Sequence, residues 1–460
     1  MLKNILKNFQ KITFNPENDG LKLFILGIII LASIIRIGLY GDPKLSIASN
    51  DTLSYVESSR VPFFSKEMMS GRRLLTTNLI YKALEPEKGY EILVNGSIET
   101  TKRKIQPGFN QMAVLQLGLS IAGWGLLAFM VSEFIRNPLL KILSAITILL
   151  FAFTPQMADW DSILMSESLT FSLFALQAAV LIKIAFSIHN DPNSRVFPYI
   201  ILWISAYVLW TFLKDTNLFA SLVTASLTVP LLWTAKYKKN KYLIGTLAFV
   251  AFIFLVGLVT AANSTRSQVQ ITNIYNDDFL RSPARVNTLR ELGMPEPNSE
   301  EYQAWFQENS TTTLIKFMLI HPGYPIAKVL KDFPFAFTEI KQTYFNAPEQ
   351  AQSRETLMEI GNALHPENTT PFLISVFFMI GLIILAVKNT SQSNRPWAWI
   401  GSWLFLTASI TIIPTILGDT WALNRHALFS TMIYRLFMWV FAFVIMDIAS
   451  KNEPLSPSLN

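Results

Sequence analysis

Residues 49–64, SNDTLSYVESSRVPFF, bring acidic, phenolic and basic side chains together just after the first long apolar run of the chain. The carboxylate of Asp51 could accept a proton in a reaction held at a membrane surface. The same residues have a structural explanation, because Asn and Asp are favoured helix caps and Asn50 or Asp51 would cap the helix that follows. The sequence leaves both roles of Asp51 open, while Glu57 fits a solvated helix face.

Cationic side chains recur at the ends of apolar runs. Arg72 and Arg73 begin the stretch GRRLLTTNLIYKAL, and Arg425 and His426 come just before the last apolar run. Arginine offers paired planar donors that suit a phosphate group. The alternative for the first two arginines is an anchoring contact with lipid headgroups. Lys214 stands at another such edge, where it would bind the same phosphate or pair with the aspartate that follows it.

Arg435 differs from these cations because it lies inside the last apolar run, about two to three helical turns from its start. A charge at that depth in a membrane is costly, and it normally faces a cavity and marks a functional site. The structural alternative is an internal ion pair with a carboxylate such as Asp419 or Asp51. The sequence therefore makes Arg435 a candidate for substrate binding.

Three acids, Asp159, Asp161 and Glu167, lie within the short stretch QMADWDSILMSESL. Glu167 begins an apolar helix, where the helix dipole favours a negative charge. Three acids in so short a loop could also hold a hard divalent cation through oxygen ligands. No metal-binding motif accompanies them, so the metal is unknown, and the sequence implies no cofactor beyond this divalent cation.

The composition indicates what must position these side chains. Of the 460 residues, 51% are hydrophobic and only 15% are charged, whereas a soluble domain carries about 25% charged residues. We therefore expect an all-α polytopic membrane protein. Cysteine is absent, which excludes disulfides, a thiol nucleophile and cysteine-ligated metals. The net charge of +6 is spread between loops, which indicates orientation in a membrane rather than nucleic-acid binding.

Apolar runs long enough to cross a bilayer, about 20 residues each, predict about ten transmembrane helices. They are expected at 21–40, 111–135, 139–155, 165–187, 197–213, 217–235, 242–262, 371–388, 396–417 and 427–448.

Short loops carry most of their Lys and Arg residues on one side of this arrangement, as in KYKKNK at 236–241. By the positive-inside rule, both termini are then cytoplasmic and two long segments lie outside. The first outer segment is expected to carry juxtamembrane helices at 51–60 and 71–84. The predicted organisation is a cytoplasmic amphipathic segment 1–20, a transmembrane module 21–262 with the outer loop 41–110, an outer loop 263–370, transmembrane helices 371–448 and a cytoplasmic tail 449–460.

Several of these stretches resemble motifs of the GT-C superfamily of polytopic glycosyltransferases, and in particular the bacterial relatives of protein mannosyltransferases and of the lipid A aminoarabinose transferase. NDTLSYVESS resembles the acid-x-x-x-Tyr pattern of the first outer loop, which assigns Asp51 and Tyr55. MSESLTFSLFAL and HPGYPIAKVL also resemble family stretches. NRHALFSTMIYRLF is similar to the Arg-Tyr motif, with His426 in the place of the tyrosine. GRRLLTTNLIYKAL lacks both prolines of the corresponding family stretch.

The resemblance implies transfer of a sugar from a polyprenyl-phosphate donor to a lipid, glycan or protein acceptor, without nucleic acid as a partner. The reaction would be a single inverting displacement at the outer face of the bacterial inner membrane. Asp51 would act as the base. Cations would stabilise the leaving phosphate, and three acids would support the site. The implied substrate-binding residues are Tyr55, Arg72, Arg73, Lys214, Arg425, His426 and Arg435, and the supporting acids are Asp159, Asp161 and Glu167.

Two other functions remain open from the sequence. A polymerase or ligase of lipid-linked glycans should have an outer loop rich in arginine and histidine. The segment 263–370 has this character, with Arg266, Arg281, Arg285, Arg290, His321 and Arg354. A lipid-sugar transporter is the third reading, but it would place ionisable groups near the middle of the membrane. Most of the unusual polar residues here fall instead at the predicted outer ends of the spans.

Overall fold

The structure, a computed structural model, describes residues 16–93, 103–264, 266–340, 351–388 and 394–450. These residues are mostly helical and contain no β-strand, so the predicted all-α class is confirmed for this part of the chain. Extended pairing is limited there to two isolated bridges, Ser46 with Lys104 and Ile47 with Ile163. Most of the predicted segment 1–20 and nearly all of the tail 449–460 lie outside the described residues.

Seven helices of the described part are long and apolar enough to cross a membrane, which identifies a multi-pass membrane protein. Each corresponds to one of the predicted spans, and the differences at their ends amount to a few residues. The seven are Pro16–Tyr40, Asn110–Phe134, Glu167–Asn190, Lys241–Ala262, Thr370–Lys388, Asn394–Gly418 and Leu423–Ala449.

The other three predicted spans are interrupted, so the count of ten is not confirmed. Helix Pro138–Phe153 stops before Pro155, and the chain continues after a 53° bend, because a proline disfavours helical geometry in the residue before it. Helices Phe197–Thr211 and Ala220–Leu232 have only 15 and 13 residues. At about 1.5 Å per residue, neither reaches across a hydrocarbon core of about 30 Å.

The three interrupted spans begin or end at residues that commonly mark helix ends. A polar turn at Lys214 separates helices Phe197–Thr211 and Ala220–Leu232. Asn137 caps helix Pro138–Phe153 by accepting from the amides of Leu139 and Leu140, as expected for a favoured cap residue followed by proline. Pro230 lies near the end of helix Ala220–Leu232, where its ring cannot support further helical hydrogen bonding.

The remaining elements are short helices between the long ones. In chain order they are Asn50–Ser59, Lys66–Ser70, Leu75–Ala83, Pro155–Ala158, the 3-10 helices Asp159–Ser162 and Asp215–Phe219, Gln268–Ile274, the π-helix Tyr275–Phe279, Pro283–Glu291, Glu300–Ile320, Gly323–Asp332, the 3-10 helix Phe335–Phe337 and Ala351–Leu364. The helix predicted at 71–84 is therefore shorter than expected, and Arg72 and Arg73 lie in the turn before it.

The apolar residues form two main clusters. One runs through the long helices and includes most of the buried tryptophans. The other, which we call the outer unit, lies within 268–324 and is built around Tyr275, Phe279, Leu289 and Phe317. The outer unit thus has its own small core within the predicted outer segment 263–370.

Candidate active site

The site is organised by a pairing of two extended segments. Ile47 donates its amide hydrogen to the carbonyl oxygen of Ser162 over 2.7 Å, and its own carbonyl accepts from the amide of Leu164 over 3.0 Å. One segment leads into helix Asn50–Ser59 and the other into helix Glu167–Asn190. The start of the first helix is therefore fixed beside the start of the second.

Helix Asn50–Ser59 is capped by Ser49 rather than by either residue expected from the sequence. Thr52 supports this cap, since its hydroxyl oxygen accepts from the Ser49 amide over 2.9 Å and donates to the carbonyl of Leu164 over 3.1 Å. The expectation that Asn50 or Asp51 caps the helix is wrong, because both residues lie inside its first turn. The carboxylate of Asp51 is thus available for other contacts.

Asp51 faces two arginines. One carboxylate oxygen lies 3.0 Å from a terminal nitrogen of Arg425, and the other lies 3.8 Å from a terminal nitrogen of Arg73. The Asp51 side chain remains 41% exposed, so the group is open on one side. The sequence placed these three residues in one site, and the structure brings them together across more than 370 positions of chain.

Tyr55 forms the inner wall of this group. The guanidinium carbon of Arg73 lies 4.0 Å from the centre of the Tyr55 ring, and Tyr81 stacks on Tyr55 with ring centres 5.4 Å apart. Burial raises the pKa of Tyr55, while the charge of Arg73 opposes that shift. The phenol oxygen lies 3.5 Å from the Ser166 hydroxyl, next to the third acid of the predicted site. Tyr55 therefore keeps its proton and orients Arg73 through the face of its ring.

Arg425 and His426 act as one unit at the start of the last helix. Nε2 of His426 lies 3.1 Å from a terminal nitrogen of Arg425, and Nδ1 lies 2.8 Å from a carboxylate oxygen of Asp419. Because arginine can only donate, Nε2 of His426 is the acceptor of the bond with Arg425. Nε of Arg425 is buried and has no hydrogen-bond partner among the described residues.

The loop before Arg425 is held by the outer unit. Asp277 accepts from the Thr420 hydroxyl over 3.2 Å and from the Trp421 indole nitrogen. A second contact comes from outside the outer unit, where Asn424 in the first turn of the last helix donates to a carboxylate oxygen of Glu339 over 2.9 Å. The chain enters the last helix at Ala422 with a positive φ of 48°. These contacts fix the direction from which Arg425 reaches Asp51.

Glu167 contributes a second carboxylate and begins helix Glu167–Asn190, as predicted. One of its oxygens lies 3.4 Å from the Lys214 ammonium group. Its other oxygen is buried without a hydrogen-bond partner in the described part of the chain. Lys214 does not pair with its neighbour Asp215, which instead forms two hydrogen bonds with Arg266 at 2.9 and 3.1 Å.

Two other predicted substrate-binding cations take different positions. Arg72 is exposed and lies 3.3 Å from Glu57, away from Asp51. Arg435 is fully buried, and its guanidinium donates to the carbonyls of Pro366 and Phe337 and to the Thr431 hydroxyl. The expected alternative for Arg435, an ion pair with Asp419 or Asp51, is wrong, because carbonyl oxygens satisfy this charge.

Asp159 and Asp161 form buried ion pairs outside this group. Asp161 pairs with Arg36 and accepts from the Ser168 hydroxyl over 2.6 Å. Asp159 lies 3.1 Å from Arg354. Within the described ranges, no three His, Cys, Asp or Glu side chains are grouped closely enough to hold a metal ion. The three acids of QMADWDSILMSESL are thus divided among three different cations.

Sequence reasoning missed the two arginines that neutralise these aspartates. Arg36 lies within the first spanning helix, and a charge in such a helix usually has a buried partner. The sequence could therefore have indicated that Arg36 pairs with a carboxylate. Arg354 lies in a helix that packs over the bend at Pro155, and its contact with Asp159 joins residues 195 positions apart. We find no sequence signal that would have assigned this second pair.

No protein-family model and no curated protein matches this chain. Among solved structures, it is similar to the archaeal oligosaccharyltransferase AglB from Archaeoglobus fulgidus in complex with an inhibitory peptide and a dolichol-phosphate, with 11% identity and a TM-score of 0.47. It is also similar to the Archaeoglobus fulgidus oligosaccharyltransferase tethered with an acceptor peptide, with 11% identity and a TM-score of 0.45.

These alignments cover 92% and 94% of this chain but only 50% and 51% of the oligosaccharyltransferase chains. The chain thus spans about half the length of the structures that it matches. Both of these structures are oligosaccharyltransferases.

Proposed function

We propose that the protein is a membrane glycosyltransferase that moves a sugar from a polyprenyl-phosphate donor to an acceptor, with Asp51 as general base. One observation carries this proposal. A half-exposed carboxylate lies between two arginines, 3.0 Å from Arg425 and 3.8 Å from Arg73, at the start of a helix that it does not cap. A base and phosphate-binding cations are the two parts that such a displacement requires.

The proposed step is a single inverting displacement at the anomeric carbon of the sugar. Asp51 accepts the proton of the acceptor nucleophile as the new bond to that carbon forms. The bond between the carbon and the phosphate oxygen breaks, and the electron pair leaves with the lipid phosphate. Arg425 and Arg73 neutralise the charge that develops on this phosphate, because guanidinium groups match its oxygens in pairs.

The contacts of Arg425 suggest how the donor would prepare the base. Arg425 directs one terminal nitrogen at Asp51, and its buried Nε has no partner among the described residues. A phosphate group would satisfy that donor and compete with Asp51 for the guanidinium. Asp51 would then be released toward the acceptor. Lys214, 3.4 Å from Glu167, supplies further positive charge at the same end of the helices.

The acceptor in this proposal is a lipid, a glycan or a protein. The proposed orientation places both termini in the cytoplasm and Asp51 at the outer face of a bacterial inner membrane, as the distribution of basic residues suggests. The arginines that favoured a glycan polymerase or ligase give that alternative little support. All four of these arginines within 266–290 pair with carboxylates, namely Arg266 with Asp215, Arg281 with Asp277, Arg285 with Asp278 and Arg290 with Glu296.

The substitution Asp51→Asn tests the proposal. It retains the size of the side chain and leaves the cap at Ser49 intact, but it removes the proton acceptor. Turnover of a labelled polyprenyl-phosphate sugar should fall by about 10²-fold or more, while thermal stability and donor binding stay close to those of the parent protein.

The matched control is Glu57→Gln, an exposed carboxylate on the same helix. Turnover of this variant should be close to that of the parent protein. If Asp51→Asn also turns over at nearly the parent rate, Asp51 is not the base, and Glu167 becomes the next residue to test. If the parent protein releases no sugar from the donor, the proposed activity itself is wrong.

A further inference from the structure

An exposed apolar strip runs along residues 315–335, a segment that belongs to none of the seven membrane-length helices. Its side chains are between 50% and 75% exposed, although they are aliphatic or aromatic. Large apolar side chains exposed in such number over about 20 residues of chain usually mark an interaction site. The apolar strip consists of Ile315, Leu319, Ile320, Ile326, Leu330 and Phe335.

Helix Gly323–Asp332 exposes apolar side chains and shields an ion pair. Ile326 and Leu330 point outward, and they lie one helical turn apart on the same face. Lys328 and Asp332 form an ion pair at 2.9 Å, and the Lys328 side chain is only 9% exposed. A helix on a water-exposed surface has the opposite arrangement, with apolar residues inside and charges outside.

The apolar strip lies close to the start of a spanning helix. Phe333 packs against Phe372, with ring centres 4.9 Å apart. Phe372 is the third residue of the spanning helix Thr370–Lys388. The end of a spanning helix marks the boundary between hydrocarbon and headgroups. Helix Gly323–Asp332 also packs against the spanning helix Asn394–Gly418. The face of helix Gly323–Asp332 that points away from the protein is therefore positioned to contact lipid.

The charges beside the strip fit a membrane surface. Lys316 and Lys331 are exposed and lie next to the apolar residues along the chain. Basic residues beside a buried apolar face are typical of helices that lie in the membrane interface, since they attract anionic headgroups. Charge and hydrophobicity therefore indicate the same partner.

We propose that the apolar strip is a membrane-docking surface, whose occupant is the lipid of the leaflet in which helix Thr370–Lys388 begins. The apolar strip and the outer unit share helix Glu300–Ile320. Docking would therefore fix the outer unit relative to the membrane. Since Asp277 of this unit holds Thr420 and Trp421, the lipid contact would also steady the loop that leads to Arg425.

The chain contains no cysteine, so single-cysteine variants can be spin-labelled without any background. We would label Ile326→Cys and Leu330→Cys in the full-length protein, with Glu301→Cys as control. Glu301 is exposed at the far end of helix Glu300–Ile320. Each variant is placed singly in nanodiscs of phosphatidylethanolamine and phosphatidylglycerol. Collisions with oxygen, which dissolves in lipid, are then compared with collisions with a water-soluble nickel chelate.

We expect a higher ratio of oxygen collisions to nickel collisions for labels at 326 and 330 than for the label at 301. Equal ratios at all three positions would place the strip in water and overturn the proposal. Labels at 326 and 330 that are immobile and shielded from both reagents would also overturn it, because the strip would then be covered by protein. Dipolar broadening that disappears when labelled protein is diluted with unlabelled protein would identify a second copy of the chain as the occupant instead.

Discussion

Two groups of charged residues meet at the segment 155–167 and differ in their ion pairing and in the exposure of their side chains. The group on one side, which we call the closed group, pairs Arg36 with Asp161 and Arg354 with Asp159, all with side chains exposed by 12% or less. The group on the other side, the open group, includes Asp51, Arg73, Arg425, Glu167 and Lys214, and Asp51 is 41% exposed.

The difference shows that charge at the end of a span does not by itself identify a site. Asp159, Asp161 and Glu167 come from one stretch of sequence, but two of them belong to the closed group. The buried Oδ2 of Asp161 lies against the guanidinium of Arg36, whereas the buried Oε2 of Glu167 has no hydrogen-bond partner among the described residues. A carboxylate whose bonds are complete has a structural task, whereas incomplete bonding and exposure indicate where a ligand can enter.

The largest expected effect is on the stability that the closed group provides. Arg36→Ala would leave Asp161 buried without its cation, which should cost about 3–5 kcal/mol of stability. The measurement is thermal unfolding of the purified protein in detergent. The control is the double variant Arg36→Met with Asp161→Leu, which removes both charges and should recover much of the loss. An unchanged melting temperature for Arg36→Ala would show that this pair is not closed in the way described.

A smaller effect is expected on binding by the open group. Arg425→Ala should weaken the affinity for a polyprenyl phosphate by about 10- to 100-fold, since a hydrogen bond to a charged group contributes about 1.5–3 kcal/mol. Arg425→Lys should recover only part of this, because the planar pair of donors is lost. Both variants should unfold near the parent temperature. Unchanged affinity in Arg425→Ala would assign this residue to holding Asp51 alone.

Low pH should lower the stability of the folded protein through the buried ring of His365. Its Nε2 lies 2.9 Å from the carbonyl oxygen of Phe151, and burial, with the charge of Arg435, lowers the pKa of His365 to about 3. The folded protein therefore holds this ring neutral, while the unfolded chain protonates it near pH 6.5. Stability contributed by the neutral ring should fall by up to about 1.4 kcal/mol per pH unit as pH drops from 6.5 toward 3.

The measurement is the melting temperature from pH 7 to pH 4 for the parent protein and for His365→Gln, which keeps a donor but does not titrate. The variant should lose less stability than the parent over this range. If the two curves run parallel, other groups cause the acid sensitivity, and His365 is not buried as a neutral ring.

Much of the open group could be predicted from the sequence, because charges at the ends of apolar runs on one side must gather at one end of a helical bundle. Asp51, Arg73 and Arg425 were found in this way. The cap at Ser49 was also open to prediction, since serine is as good a cap as aspartate. The interpretation instead assigned the cap to Asn50 or Asp51, one or two positions after the residue that forms it.

The closed group could not be predicted to the same degree, because its pairs depend on packing between distant helices. The same holds for Lys214, which contacts Glu167 although Asp215 is next to it in the chain. The predicted count of ten spans was not confirmed, and the reason is local. Hydropathy registers an apolar run, but it does not register that Pro155 and the polar turn at Lys214 interrupt the helices.

The smallest effect concerns two adjacent arginines, Arg72 and Arg73, for which the sequence analysis predicted the same role. Arg73 is 26% exposed, lies over the Tyr55 ring and donates to the Ser54 hydroxyl over 2.8 Å. Arg72 is 70% exposed and pairs with Glu57. An exposed ion pair of this kind contributes about 0–1 kcal/mol, so Arg72→Ala should change donor affinity and turnover by less than about fivefold.

Arg73→Ala, by contrast, removes a cation that faces Asp51 and packs on an aromatic ring, so its loss of donor affinity should exceed that of Arg72→Ala. The two variants remove the same side chain from adjacent positions of one turn, and each therefore serves as the control for the other. Affinities are measured with the same polyprenyl phosphate. Equal losses would mean that both arginines act through the general positive charge of the surface, and the boundary of the open group at Arg73 would then be wrong.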